Sequence, residues 1–129
     1  MIFRRLVPAA LALPLLALPL LATPVFAHEP GVGANGGVRV DAGRYHAELV
    51  SDGTATVALY LSDGSDKPVA ADGFKANAIL VVEGKAQRFP LSPTGGNRLA
   101  GTAAVAIPKG VKGAVQITAP DGSSAQAKY

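Results

Sequence analysis

The sequence predicts an all-β protein, an antiparallel immunoglobulin-like β-sandwich of about seven or eight short strands following a signal peptide. Three observations predict it. Turn signals recur at short intervals, at "SDG" from Ser51, "SDGSDKP" from Ser62, "ADG" from Ala71, "EGK" from Glu83, "SPTGGN" from Ser92, "PKGVKG" from Pro108 and "PDGSS" from Pro120. Each combines residues that tolerate positive φ or bond their own backbone. Between them lie runs rich in Val, Ile, Leu and Thr, too short for a helix and of strand length. Within these runs apolar and polar residues alternate with period two.

The N-terminal segment comes first. Met1 to Ala27 carries Arg4 and Arg5, then a Leu/Ala-rich stretch, then Val25-Phe26-Ala27. This reads as a cleaved secretory signal peptide over 1–27. A membrane anchor is the rival, because Leu6 to Ala27 approaches the roughly 20 apolar residues that span a bilayer. Pro8, Pro14, Pro19 and Pro24 interrupt that run and favour cleavage, so no stable membrane insertion is expected afterwards. The mature chain then begins at His28, and localisation outside the cytoplasm follows. Without Arg4 and Arg5, ten basic residues stand against nine acids, for a net charge of about +1. No basic cluster remains to suggest nucleic acid. The chain has no cysteine, and its one methionine is Met1. Packing alone must hold the domain, and thiolate or thioether metal sites are excluded.

Residues 28–37, "HEPGVGANGG", read as a flexible Gly-rich lead-in ending in a turn at Asn35-Gly36-Gly37. Gly31, Gly33 and Gly36 satisfy G-x-G-x-x-G literally. A dinucleotide site would need a strand before and a helix after, and neither is expected here. The β domain occupies 38–129, with strands expected at Val38–Asp41, Tyr45–Val50, Thr54–Leu61, Ala76–Glu83, Ala86–Leu91, Leu99–Ile107, Ala114–Ala119 and Ser124–Tyr129. Ala55, Val57, Leu59 and Leu61 share one face, as do Leu99, Val105 and Ile107, and Val115, Ile117 and Ala119. "AILVV" at Ala78–Val82 is apolar on both faces and suits a central strand.

The strand "RYHAELV" carries the chemistry. Tyr45, Ala47 and Leu49 alternate with Arg44, His46 and Glu48, so the second set faces water or a ligand if the first faces the core. His46 and Glu48 then stand side by side, about 7 Å apart by strand rise. Such a pair can hold one ion between nitrogen and oxygen, or it is an ordinary solvated strand face. Cleavage after Ala27 would give His28 a free α-amine, which with its own imidazole can chelate a metal. Imidazole and amine suit Cu(II), Ni(II) or Zn(II), with copper favoured by intrinsic affinity. His46, with Glu48, Glu29 or Asp41 adding oxygen, would complete the set. A disordered terminus is the plain alternative for His28. No nucleophile elbow, H-E-x-x-H or catalytic carboxylate pair is present, so an enzyme is not expected.

"ANGGVRVDAGRYHAELV", "LYLSDGSDKPV", "PTGGNRLAGTAAV" and "PDGSSAQAKY" together resemble a group of small periplasmic proteins of proteobacteria found beside heavy-metal or copper efflux genes. From Gly33 to Pro68 the chain is also similar to the start of periplasmic adaptor subunits of metal efflux pumps, where a Gly-Pro-His/Asn-Gly-Gly element precedes a small β-domain. The resemblance touches Asn35, Gly36, Gly37, Asp41, His46 and Glu48. Here Ala34 replaces the proline, and His28 is separated from the Asn-Gly-Gly element. The predicted terminus is similar in architecture to small copper-resistance β-sandwiches whose N-terminal histidine binds Cu(II). The predicted terminus at His28, the polar strand face with His46 and Glu48, and the resemblance together lead to the expectation of a periplasmic protein that binds or buffers a divalent metal through His28 and His46 with Glu48 or Asp41. Copper(II) is first choice, zinc and nickel are rivals, and an efflux adaptor is the partner. The alternative is a non-metal interaction module that docks on an efflux or envelope complex.

Overall fold

A computed structural model of the chain describes residues 30–129, together with Ala12 and Pro14. The expected leader, apart from those two residues, and both His28 and Glu29 lie outside the described residues. Among the described residues nine antiparallel strands are formed: β1 (Gly31–Val32), β2 (Val38–Ala42), β3 (Tyr45–Val50), β4 (Thr56–Asp63), β5 (Lys75–Val82), β6 (Lys85–Gly95), β7 (Arg98–Thr102), β8 (Lys112–Thr118) and β9 (Ser124–Lys128). No helix among the described residues is long and apolar enough to cross a membrane.

The all-β antiparallel class is as the sequence predicts, and the strands follow one continuous order, β1-β2-β3-β4-β7-β6-β5-β8-β9. β6 makes that continuity. Its first half pairs with β5, from Lys85 opposite Val82 to Leu91 opposite Ala76, and its last residues pair with β7 from Ser92 onward. The strand bends between the two, and the register shifts between Pro93 and Gly95. Gly101 of β7 permits the crossing, because a Cβ there would overlap the Pro90 carbonyl and Leu91. The resulting sheet curls into a half-barrel in which β9 packs back against β2. The Tyr129 hydroxyl donates to the Ala47 carbonyl at 2.9 Å, tying the last residue to β3.

The inside of the curl is the core. Val57, Leu59, Leu61, Val115 and Ile117 are all buried, as period two predicts. β5 is central, flanked by β6 and β8. Its outer face is nevertheless open at Val81, which is 47% exposed, so the run "AILVV" packs on one face only. Leu99–Ile107 is not one strand. The adjacent carbonyls of Ala55 and Thr54 accept from the N–H groups of Ala103 and Ile107, so residues 104–106 are looped out of the ladder. Val105 therefore faces solvent while Ile107 returns to the core.

Residues 31–37, expected as a lead-in, form the first arm and loop of the β1–β2 hairpin. Gly33 N–H donates to the Gly37 carbonyl at 2.9 Å, and Gly36 takes φ +76° at the turn. The Asn-Gly-Gly turn is where the sequence puts it.

Candidate functional site

Strand registry assembles the polar face of β2, β3 and β4. Arg39 stands opposite Glu48, which stands opposite Tyr60, in one row. Asp41, His46 and Ser62 form the next row in the same way. Alternation predicts this face as open to water or a ligand, and here the structure differs. His46 is 8% and Glu48 5% exposed. The cause is non-local: two loops, 33–37 and 63–67, fold down over the face.

The first loop closes on Glu48. The backbone N–H of Asn35 donates to both carboxylate oxygens, at 3.1 and 3.0 Å, and its side-chain amide donates to Oε1 at 3.0 Å. Gly37 N–H donates to Oε2 at 2.7 Å. Four donor contacts satisfy a buried carboxylate that would otherwise be costly. Gly33 lies against the same carboxylate, with no room for a side chain. The G-x-N-G-G spacing is therefore the footprint of a loop built around one anion, Glu48.

The second loop brings Asp66 onto His46. Asp63 Oδ1 accepts from the N–H groups of Ser65 and Lys67 at 2.8 and 3.0 Å, and Asp66 N–H donates to the Asp63 carbonyl. Asp66 takes φ +62° in this turn, a conformation Asp tolerates better than most residues. Its Oδ1 lies 2.7 Å from His46 Nδ1 and accepts from Arg39 Nη1 at 2.9 Å. The His46 contact first, with the Arg39 guanidinium in support, holds the Asp66 carboxyl below the usual carboxylate range.

The other ring nitrogen faces Asp41, with His46 Nε2 and Asp41 Oδ1 3.2 Å apart. A carboxylate only accepts, so the hydrogen can sit on either ring nitrogen, and one tautomer places it on Nδ1 toward Asp66. In that tautomer the Nε2 lone pair and a carboxylate oxygen confront each other. Two acceptors at that distance share a cation, either a proton or a metal ion. With metal–ligand bonds of about 2.1 Å, a right-angle bite spans about 3.0 Å and a tetrahedral one about 3.4 Å. The observed separation lies between them.

Of the residues singled out from the sequence, Asp41 and His46 are brought together, and Glu48 stands one row away with its oxygens committed to the Asn35 loop. His28 lies outside the described residues. Asp66 and Arg39 were not singled out. The spacing Asp63-x-Ser65 in "SDGSDKP" signals the turn that carries Asp66, but nothing local says which strand that turn covers. Among the described residues no three His, Asp or Glu side chains converge on one metal-sized position. A cavity of about 100 Å³ opens beside the face, bordered by Asn35, Arg39, Tyr60, Asp66 and Asn97. No protein-family model, curated protein or solved structure matches the chain.

Proposed function

We propose that the protein binds or buffers a divalent metal ion in the periplasm, Cu(II) before Zn(II) or Ni(II), and hands it to an efflux system through a periplasmic adaptor. One observation carries the reading: His46 Nε2 and Asp41 Oδ1 face each other at 3.2 Å while Asp66 fixes the other ring nitrogen. Ligating histidines characteristically give their second N–H to a carboxylate, which sets tautomer and ring orientation. In this reading His46 and Asp41 are ligands, Asp66 positions His46, and Glu48 holds the loop at the border. Cleavage after Ala27 would add the amine and imidazole of His28. The half-barrel is then a variant of the immunoglobulin-like sandwich with β6 shared between its two halves.

Calorimetric titration of the secreted protein with Cu(II) tests the proposal. His46→Ala should abolish tight binding, and Asp66→Asn should weaken it by on the order of 10- to 100-fold. Wild-type affinity no better than that of a His28→Ala, His46→Ala double variant overturns it. Mass spectrometry of the secreted chain reports whether His28 is the terminus.

A second reading, an interaction module, is favoured by the β1 edge. Val32 is 81% and Val38 39% exposed there, beside a strand edge that no other described strand pairs with and that suits strand addition by a partner. A Val32→Lys variant that still co-purifies with an efflux adaptor as wild type does would count against it.

A further inference from the structure

Charge is divided unevenly between the two halves of the curl. Strands β5, β6, β8 and β9 carry Lys75, Lys85, Arg88, Lys112 and Lys128 and neither aspartate nor glutamate. Strands β2, β3, β4 and β7 carry Arg39 and Arg98 together with Asp41, Glu48 and Asp63. Pairing differs in the same way. Arg39 and Arg44 have carboxylate partners in Asp66 and Asp121, whereas among the described residues none of the five cations of the other half makes an ion pair. These five are scattered over residues 75–128, and no run of the sequence gathers them.

Strand register gathers four of them. In β5, Ala76, Ala78 and Leu80 point into the core, so Lys75, Ile79 and Val81 stand on the outer face. Ile79 lies opposite Arg88 on one side and Ala114 on the other, and Ala114 lies opposite Lys128. One row therefore runs from Arg88 to Lys128 across β6, β5, β8 and β9. Val81 lies opposite Lys112 in the next row, and Lys75 stands two rows away in the other direction. Lys75, Arg88, Lys112 and Lys128 are all exposed, as is Val81. They share one open face of about 14 by 20 Å, set by three inter-strand spacings and six residues of rise.

The spacing and the residue types select the partner. Arg88 and Lys128 are three strands apart, and only Lys112 and Lys128, diagonal neighbours about 7–8 Å apart, can meet on one anion. The face is thus no clamp for a single phosphate or carboxylate. A fluid layer of anionic headgroups suits it, because each headgroup moves laterally to its own cation. Three of the four cations are lysines, which act as point charges without the fixed fork of arginine. Their stems, with Ile79 and Val81 among them, form an aliphatic layer beneath the charges, the pattern of an interfacial surface. Nucleic acid is served less well. The one aromatic residue of the four strands, Phe89, is buried, so no ring is offered for base stacking.

We propose that the outer face of β5, β6, β8 and β9 docks the protein peripherally on an anionic lipid surface, with Lys75, Arg88, Lys112 and Lys128 against the headgroups and Val81 at the apolar boundary. His46 belongs to the other half of the curl, so lipid docking and metal binding are separate properties and neither depends on the other.

Co-sedimentation of the secreted protein with vesicles of phosphatidylcholine, alone or with an equal part of phosphatidylglycerol, tests the proposal. Binding should require phosphatidylglycerol and weaken as salt is raised. Lys112→Gln combined with Lys128→Gln should weaken it by roughly 25-fold, about fivefold for each cation removed. Arg44→Gln combined with Lys67→Gln lowers the net charge equally on the other half of the curl and should bind as wild type does. The chain has no tryptophan, so Val81→Trp supplies a single indole on the face, and its emission should shift to the blue on the mixed vesicles. No binding to the mixed vesicles, or equal losses in the two double variants, overturns the proposal. An indole emission that stays unchanged on vesicles that sediment the protein overturns it as well. Polyglutamate bound by wild type and lost in Lys112→Gln with Lys128→Gln, when the mixed vesicles are not bound, assigns the face to an acidic protein partner and overturns the lipid reading.

Discussion

Gly33 and the carboxylate of Glu48 touch so closely that no side chain fits between them. The loop can wrap the carboxylate only because residue 33 has no Cβ. Gly33→Ala must push Glu48 or the loop aside, loosening the four donor contacts from Asn35 and Gly37. Chemical denaturation should show a loss of about 1–3 kcal/mol, the usual range for forced overpacking. Gly36→Ala meets open space and bears only the cost of its φ of +76°, so it should lose less. Equal losses would argue against the close contact.

Glu48→Gln separates the loop's role from the metal's. The glutamine amide turns two hydrogens toward a nest of N–H donors, so on the order of 2–3 kcal/mol should be lost. Asn35→Ala removes one donor, and the two changes should be less than additive because they break one network. Cu(II) affinity should stay within a few-fold of wild type, since Glu48 stands outside the His46–Asp41 pair. A collapse of affinity with folding intact would make Glu48 a ligand after all.

The core gives a simpler expectation. Leu59 and Ile117 are 0% and 1% exposed, and they come from opposite halves of the curl. Truncating either to alanine leaves a cavity that β6, shared by both halves, hinders from collapsing. Each should cost about 2–5 kcal/mol by denaturant titration. Val81→Ala, on the exposed face of β5, should cost well under 1 kcal/mol.

What was readable from the sequence follows from range. Period-two alternation put Val57, Leu59 and Leu61, and Val115, Ile117 and Ala119, on the buried face, because that pattern is local to one strand. The limits of β3 were readable for the same reason, being set by the Gly43 turn before it and the Ser51-Asp52-Gly53 turn after it. The burial of His46 and Glu48 was not. It depends on loops 33–37 and 63–67 arriving from elsewhere in the chain, and no periodicity inside "RYHAELV" records that. The shared role of β6 was hidden likewise, because Gly101 and Pro90 become neighbours only once the sheet has curled. Asp66 looked like any turn residue, since its value lies in which strand the turn covers.

Asp66 links stability to pH. Its carboxyl is held down by His46 and then by Arg39, while Asp41 and Asp63 lie nearby with the same charge sign as the ionised form. A carboxyl depressed in the folded state stabilises it above the unfolded carboxyl pKa of about 4. That contribution is lost as pH falls through the lower, folded value. Asn fits the same positive φ, so Asp66→Asn removes the charge without disturbing the turn. The melting-temperature gap between wild type and Asp66→Asn should be present at neutral pH and close on acidification through and below pH about 4. A gap that is flat down to pH 2 would mean the carboxylate contributes nothing through its charge.

Tyr129 works at the other end of the pH scale and in the opposite sense. Burial raises its hydroxyl pKa above the ordinary tyrosine value, and the Glu48 carboxylate pushes in the same direction. The hydroxyl donates to the Ala47 carbonyl, which an ionised phenolate could not do. Stability from this group is therefore complete below the unfolded value of about 10 and declines as pH rises above it, because only the unfolded chain can shed the proton. Tyr129→Phe loses the hydrogen bond and should cost about 0.5–1.5 kcal/mol at neutral pH. It should also flatten the alkaline decline, because phenylalanine has nothing to titrate. Thermal melts from pH 8 to 11.5 on both proteins distinguish the cases: parallel curves would show that Tyr129 is not what links alkali to unfolding, and converging curves that it is.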